Sequence, residues 1–364
     1  MSYPDYKQRL AKARQAMRAH DLEALLIFSP ENLRYLTGFR GEAAYGVLTQ
    51  RRMHLVTDYR FVQQAQEECR GTDIVCRDRD RQTLGDALRS ILAGASVASA
   101  GIETAHLSHA THASLASDLA GFGMVPAKGL VEGLRIDKDE WEIEQIARAA
   151  AIADMALASL LGQFRLGVTE RDMARELDYL VKCHGADDVA FPTILGFGAN
   201  SARPHCVPST RPLAKGDIVL IDFGAMVNGY RSDMTRTFVA GTPSALQARM
   251  MQAVLEAQEA AVAAVRPGAA GADVDARAAR VLASTQFAHH AGPGTGHGVG
   301  LTLHEKPFLG PGCGDILRAG WVVTIEPALY VPGYGGVRYE DDVLVAAAGA
   351  TCLTRSPKFP ELAL

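Results

Sequence analysis

The spacing of hydrophobic positions changes along the chain, and each change marks an element. Leu10, Ala13 and Met17 recur at three- and four-residue intervals, as on one buried face of a helix, whereas ALLIF from Ala24 is an unbroken apolar run of strand length. YGVLT from Tyr45, MHLVTD from Met53, DIVCRD from Asp73 and VASAGIE from Val97 read as further strands, with LGDALRSIL from Leu84 as an intervening helix. Helices and strands in alternation predict an α/β domain over residues 1–130.

The stretch PAKGLVEGLRID, Pro126 to Asp137, reads as a linker to a second domain over 131–364. Asp137 and Glu140 resemble a capping box for an Ala-rich helix whose Ile143, Ile146, Ala147, Ala150 and Met155 would face the core. A second helix is expected between an N-cap at Thr169 and a stop at Gly185, and a third from Ala245 to Val265, ending at Pro267-Gly268. Pro204 to Thr210, PHCVPST, is expected to be loop, because its two prolines oppose regular pairing.

Charge enters the picture where it is least at home, inside apolar strands. Ile218 to Phe238 holds two β-rich runs around Asn228-Gly229, a pair that tolerates positive φ and favours a two-residue hairpin turn. That turn sets Asp233 opposite Gly224, so Asp222 lies diagonally on the same face, roughly 7–8 Å away by Cα. WVVTIEPALY from Trp321 and VRYEDDVLV from Val337 repeat the design around a Pro/Gly-rich loop, carrying Glu326 and Glu340. His297 sits in GTGHGVGL, where flanking glycines let backbone approach closely. A single acid on a hairpin is ordinarily a solvated turn residue, but acids embedded in VLIDF and VVTIEP are not, since unpaired Asp and Glu are almost never fully buried. Metal removes the cost of gathering them. Four carboxylates and one imidazole form a hard, oxygen-rich set for two divalent ions, manganese first, with cobalt, iron or zinc as alternatives.

These motifs occur in a fixed order: NSARPH from Asn200, IDFGA from Ile221, SDMTRT from Ser232, GHGVGLTLHEKP from Gly296, TIEPALY from Thr324 and GVRYEDD from Gly336. Together they resemble the pita-bread metallopeptidases, which include Xaa-Pro dipeptidase (prolidase) and aminopeptidase P, with methionine aminopeptidase and creatinase as relatives. The resemblance spans essentially the whole chain. It implies an α+β pita-bread catalytic domain behind a creatinase/prolidase-type α/β N-terminal domain, to which SPENLRYLTGFRG from Ser29 is similar. It implies that Asp222 chelates one metal, that His297 and Glu326 bind the other, and that Asp233 and Glu340 bridge both. His205 then corresponds to a histidine lining the substrate site, His304 to one that hydrogen-bonds the tetrahedral intermediate, and Arg338 to an arginine of the proline-specific branch. Glu326 would also shuttle a proton to the departing proline nitrogen. Arg40 is a candidate for the free carboxylate of an Xaa-Pro dipeptide, because the N-terminal domain of this family can reach a pocket. One departure stands out: four residues before His297, where the family often has a histidine, this chain has Pro293, with His289 and His290 nearest.

Composition sets the remaining bounds. The chain has 364 residues, 48% of them hydrophobic, enough for two domains with sizeable cores, and its net charge of −4 gives no electrostatic case for nucleic acid. No apolar run is long enough to span a membrane, MSYPDYKQRLAKARQ lacks a signal-peptide core, and six cysteines without C-x-x-C suggest reduced thiols. A cytoplasmic enzyme is expected, and the resemblance implies a homodimer. Its expected substrate is a peptide with proline at the second position. The activity is metal-assisted hydrolysis, with Xaa-Pro dipeptidase ahead of aminopeptidase P. A metal-independent creatinase-like amidinohydrolase and a non-catalytic binding protein are the alternatives from other classes.

Overall fold

The computed structural model describes residues 3–359 and 361–363; Met1 and Ser2 of the N-terminal segment lie outside the described residues. The chain divides into two compact units between Arg135 and Ile136.

In the first unit, a six-stranded sheet runs in the order 73–76, 53–57, 45–49, 24–27, 99–102, 123–126. Ala24–Ile27 pairs antiparallel with Tyr45–Thr49 and parallel with Ser99–Ile102, and all four of its residues are buried. Both faces of the strand are covered, which is why its sequence shows no alternation. Leu26, Val47 and Val56 of the sheet pack with Leu88 and Leu92 of the helix Leu84–Gly94. The expected linker is structured. Gly123–Pro126 is an edge strand, where the missing proline N–H does no harm, and Leu130–Ile136 is a helix that buries Val131.

The second unit twice places a pair of helices before a sheet. Helices Glu140–Leu161 and Glu170–Cys183 precede a four-stranded sheet ordered 361–362, 234–240, 218–223, 194–197. Helices Ala245–Val262 and Gly271–Ala283 precede a five-stranded sheet ordered 305–309, 296–298, 322–325, 341–346, 349–352. The first helix pair packs on the four-stranded sheet in one hydrophobic core, and the second pair packs on the five-stranded sheet in another that also takes in Ile218 and Val239.

The start of the first helix differs from the sequence reading by two residues. Asp139 is the N-cap and forms the reciprocal box with Glu142, whereas Asp137 accepts from the Trp321 indole N–H at 2.5 Å. The buried stripe accordingly runs through Ile146, Ala149, Ala150, Ala153 and Leu157, Ile143 and Ala147 are only half-buried, and Met155 is 46% exposed. Thr169 caps the next helix as expected, its hydroxyl accepting from Asp172 N, and Gly185 follows the helix end with φ 100°.

Candidate active site

The Asn228-Gly229 turn forms with φ values of 49° and 78°, and Val227 pairs with Tyr230 across it. The same register continues down the hairpin, placing Thr235 opposite Asp222 and Met234 opposite Phe223. Asp222 and Asp233 are both buried there. The second acidic pair is built differently from a simple hairpin. Val322–Ile325 pairs with Asp341–Ala346, while Ala328–Val331 pairs with Gly335–Arg338, and the two ladders share one register. Glu326 and Glu340 therefore face each other across the break between them.

His297 comes from the short strand Gly296–Gly298, whose register shifts between His297 and Gly298. Such a bulge re-aims a side chain. A Cβ on Gly296 would lie 1.9 Å from Thr324 O, so only glycine permits this approach of the two strands. The imidazole Nδ1 lies 3.0 Å from Gly298 O, which fixes it as the donor and leaves Nε2 facing Glu326 Oε1 at 3.3 Å and Asp233 Oδ2 at 3.7 Å.

Thr235 stitches the two halves together. Its carbonyl accepts from Glu340 N at 3.1 Å, its hydroxyl donates to Glu340 Oε2 at 2.6 Å and accepts from Arg338 Nε at 2.9 Å. Arg338 is buried and also donates to Asp222 Oδ2 and to the Tyr330 hydroxyl.

The donor set fits divalent cations. Asp233, His297 and Glu340 offer ligand atoms that all lie within 4.8 Å of one another. Among the described residues, buried Asp222 Oδ1 and Asp233 Oδ1 have no hydrogen-bond partner, and such atoms are costly unless something compensates them. Burial, reinforced by the neighbouring carboxylates, pushes Asp233 and Glu340 well above the ordinary carboxyl range, and burial also raises Asp222 against the opposing pull of Arg338. Glu326 behaves otherwise: burial raises it, but His297, Arg338 and the Thr324 hydroxyl together hold it low. Burial would depress His297, and Glu326 reverses that.

A cavity of about 600 Å³ opens on this cluster, lined also by His205, His304, Tyr330, Arg338 and Pro293. His304 stands edge-on to His297, ring centroids 4.3 Å apart at 88°. Desolvation, with His297 and His205 nearby, lowers its pKa and keeps it neutral. The structure thus brings eight of the nine sequence-derived site residues to one cavity, whose wall also includes Pro293. Arg40 is the exception. It belongs to the first unit, where its Nε lies 2.9 Å and its backbone N–H 2.8 Å from Glu68 carboxylate oxygens. Tyr330, Thr235 and Asp342, whose Oδ2 accepts from Asp233 N at 3.0 Å, were not singled out from sequence, because their roles depend on contacts between strands distant in the chain.

The family follows from comparison with known proteins. Residues 144–347 match metallopeptidase family M24, and residues 9–136 match the creatinase/prolidase N-terminal domain. The chain belongs to metallopeptidase family M24. An uncharacterized peptidase, YqhT of Bacillus subtilis (strain 168), is 35% identical over 96% of this chain and 98% of its own length. The solved Xaa-Pro dipeptidase from Bacillus anthracis superposes with a TM-score of 0.94 at 32% identity, covering 98% of this chain and 99% of that one. The X-Pro aminopeptidase from Thermotoga maritima MSB8 gives 0.88 at 30% identity, covering 95% and 99%. The second unit is therefore the pita-bread catalytic domain of an M24 metallopeptidase, a family that implies divalent metal ions. Among the described residues, no helix is long and apolar enough to cross a membrane.

Arg338 carries a testable structural load in this M24 peptidase. Arg338→Met leaves Asp222 buried without its countercharge, and removing one partner of such a pair costs roughly 3–5 kcal/mol. Urea denaturation of the metal-free protein should show that loss; a change under about 1 kcal/mol would place the pair among those worth little.

Proposed function

We propose that this peptidase hydrolyses the peptide bond before proline in Xaa-Pro dipeptides. The observation that carries the reading is the near-complete structural likeness to the Xaa-Pro dipeptidase from Bacillus anthracis. A cavity of about 600 Å³ also suits a small peptide. In this reading Asp222, Asp233, His297, Glu326 and Glu340 would hold the divalent ions. When bound, the ions lower the pKa of water and polarise the scissile carbonyl; manganese fits the oxygen-rich donors best.

The chain's own residues supply the rest. Glu326, held low in pKa and therefore ionised, accepts a proton from the attacking water and passes it to the prolyl nitrogen. That nitrogen is tertiary in the substrate and leaves as a secondary amine, so its expulsion needs a positioned acid. Neutral His304 donates its N–H to the oxygen of the tetrahedral intermediate. His205 and Arg338 border the bound peptide.

One observation favours aminopeptidase P as the second reading. Arg338 is the sole Lys or Arg among the described residues lining the cavity, and its guanidinium is already engaged by Asp222, Tyr330 and Thr235. A dipeptidase gains from a cation that recognises the free carboxylate, whereas an enzyme for longer peptides leaves that exit open. Ala-Pro and Ala-Pro-Ala, assayed side by side with added manganese, separate the two. The dipeptidase reading requires faster turnover of Ala-Pro, and selective weakening of that substrate by Arg40→Ala would bring Arg40 into the site. Preference for Ala-Pro-Ala with no effect of Arg40→Ala would make the enzyme an aminopeptidase.

A further inference from the structure

His205 lines the cavity but makes no hydrogen bond among the described residues, so its place depends on the loop that carries it. That loop is gathered by one buried carboxylate. Glu170 opens the helix Glu170–Cys183 and is completely buried. Its Oε1 accepts from Phe197 N at 2.8 Å, on the near side of the loop. Its Oε2 accepts from Asn200 Nδ2 at 2.8 Å, and from Ser209 N at 2.8 Å and Ser209 Oγ at 2.6 Å on the far side.

Other anchors lie mostly before His205. Ser201 Oγ accepts from Gly336 N at 2.9 Å, and the Pro204 carbonyl accepts from Arg338 at 3.3 Å. A Cβ on Gly336 would lie 2.1 Å from Ser201 O, so glycine lets the loop lie directly on the strand that ends in Arg338. Beyond His205, Ser209 is held by the two bonds to Glu170 and by Arg171 N donating to its carbonyl at 2.9 Å. Glu170 lies in the first turn of its helix, where a negative charge is favoured, and its two oxygens accept all four bonds.

We propose that Glu170 is a positioning residue for His205: by closing both ends of the loop it fixes where the imidazole stands against the catalytic carboxylates. The inference rests on the reading of His205 as part of the hydrolytic site and goes beyond it, since Glu170 itself touches neither substrate nor reacting atoms.

All four partners of Glu170 are donors, so a glutamine of the same size must turn its amide N–H₂ toward one of them and release that side of the loop. Misplacing a catalytic group by about 1 Å can cost up to roughly a hundredfold. In the metal-loaded enzyme, on whichever of Ala-Pro or Ala-Pro-Ala is turned over, Glu170→Gln should lower kcat/KM about tenfold, within that range. In the His205→Ala background the same change should cost less than about twofold, the non-additivity of two residues acting as a unit. Amide exchange at Phe197 and Ser209 should quicken in Glu170→Gln. Equal losses in both backgrounds would overturn the proposal and leave Glu170 a general stabiliser, as would unchanged kcat/KM with a loosened loop. If His205→Ala alone changes nothing, the reading of His205 fails and the proposal with it. Should Glu170→Gln not fold, Ser209→Ala runs the same cycle, with a loss of about threefold in the parent and none beside His205→Ala.

Discussion

Asp233→Ala and Glu340→Ala should each lower turnover by several orders of magnitude and eliminate binuclear metal, while the first unit stays folded. Both carboxylates are buried and form one cluster with His297, their ligand atoms within 4.8 Å of one another. The same burial gives a second readout in the metal-free protein. Burial and the adjacent carboxylates raise Asp233 and Glu340 well above the normal carboxyl range. A carboxyl raised in the folded state keeps its proton there at pH values where the unfolded chain has released it. Its contribution to stability therefore falls as pH rises from about 4, the unfolded value, through the raised one. Asp233→Asn removes that liability, so its stability advantage over the metal-free parent should widen from acidic to neutral pH in urea titrations, and added metal should rescue only the parent. Parallel pH profiles would show that Asp233 is not held protonated by its surroundings.

His304→Ala should lower kcat roughly 10²–10³-fold with little change in KM, the pattern for a donor that acts on charge appearing only in the transition state. Metal content should stay unchanged. His304 packs edge-on against His297 but stands outside the group formed by Asp233, His297 and Glu340. Because desolvation and the two nearby histidines depress its pKa, the ring is already neutral at pH 7, and its loss should not introduce a new titration near neutrality. Steady-state kinetics with parallel metal analysis checks both parts. Loss of metal in this variant would mean that His304 is a ligand.

The two acidic pairs were legible in the sequence to different depths, for reasons the structure makes plain. Asn228-Gly229 fixes a turn and period-two alternation fixes a face, so the relation of Asp222 to Asp233 follows from local rules and appears in the observed register. Glu326 and Glu340 could be assigned to facing runs, but not to the break where each run leaves one sheet and joins another two-stranded ladder. At that break Thr235, from the earlier hairpin, bonds both Glu340 and Arg338, and long-range side-chain contacts of this kind leave no periodic signal. Helix starts show the same limit. Asp137-x-x-Glu140 and Asp139-x-x-Glu142 both satisfy the capping pattern, and what decides between them is that Trp321 takes Asp137. The α/β character of the first unit was readable because its buried strands are short continuous apolar runs; its last strand, Gly123–Pro126, was not, because an exposed edge carries little hydrophobic pattern.

In the proposed function, Asp222, Asp233, His297, Glu326 and Glu340 would together hold two divalent ions that hydrolysis requires. Metal content per chain, measured after gentle purification and again after chelation and manganese titration, tests it most directly. Two ions per chain, loss of peptidase activity on chelation, and recovery of activity as the second ion binds are the expected results. Full hydrolysis by a metal-free protein would point to a creatinase-like mechanism, and a protein that binds no metal and turns over neither Ala-Pro nor Ala-Pro-Ala would contradict the enzymatic reading altogether.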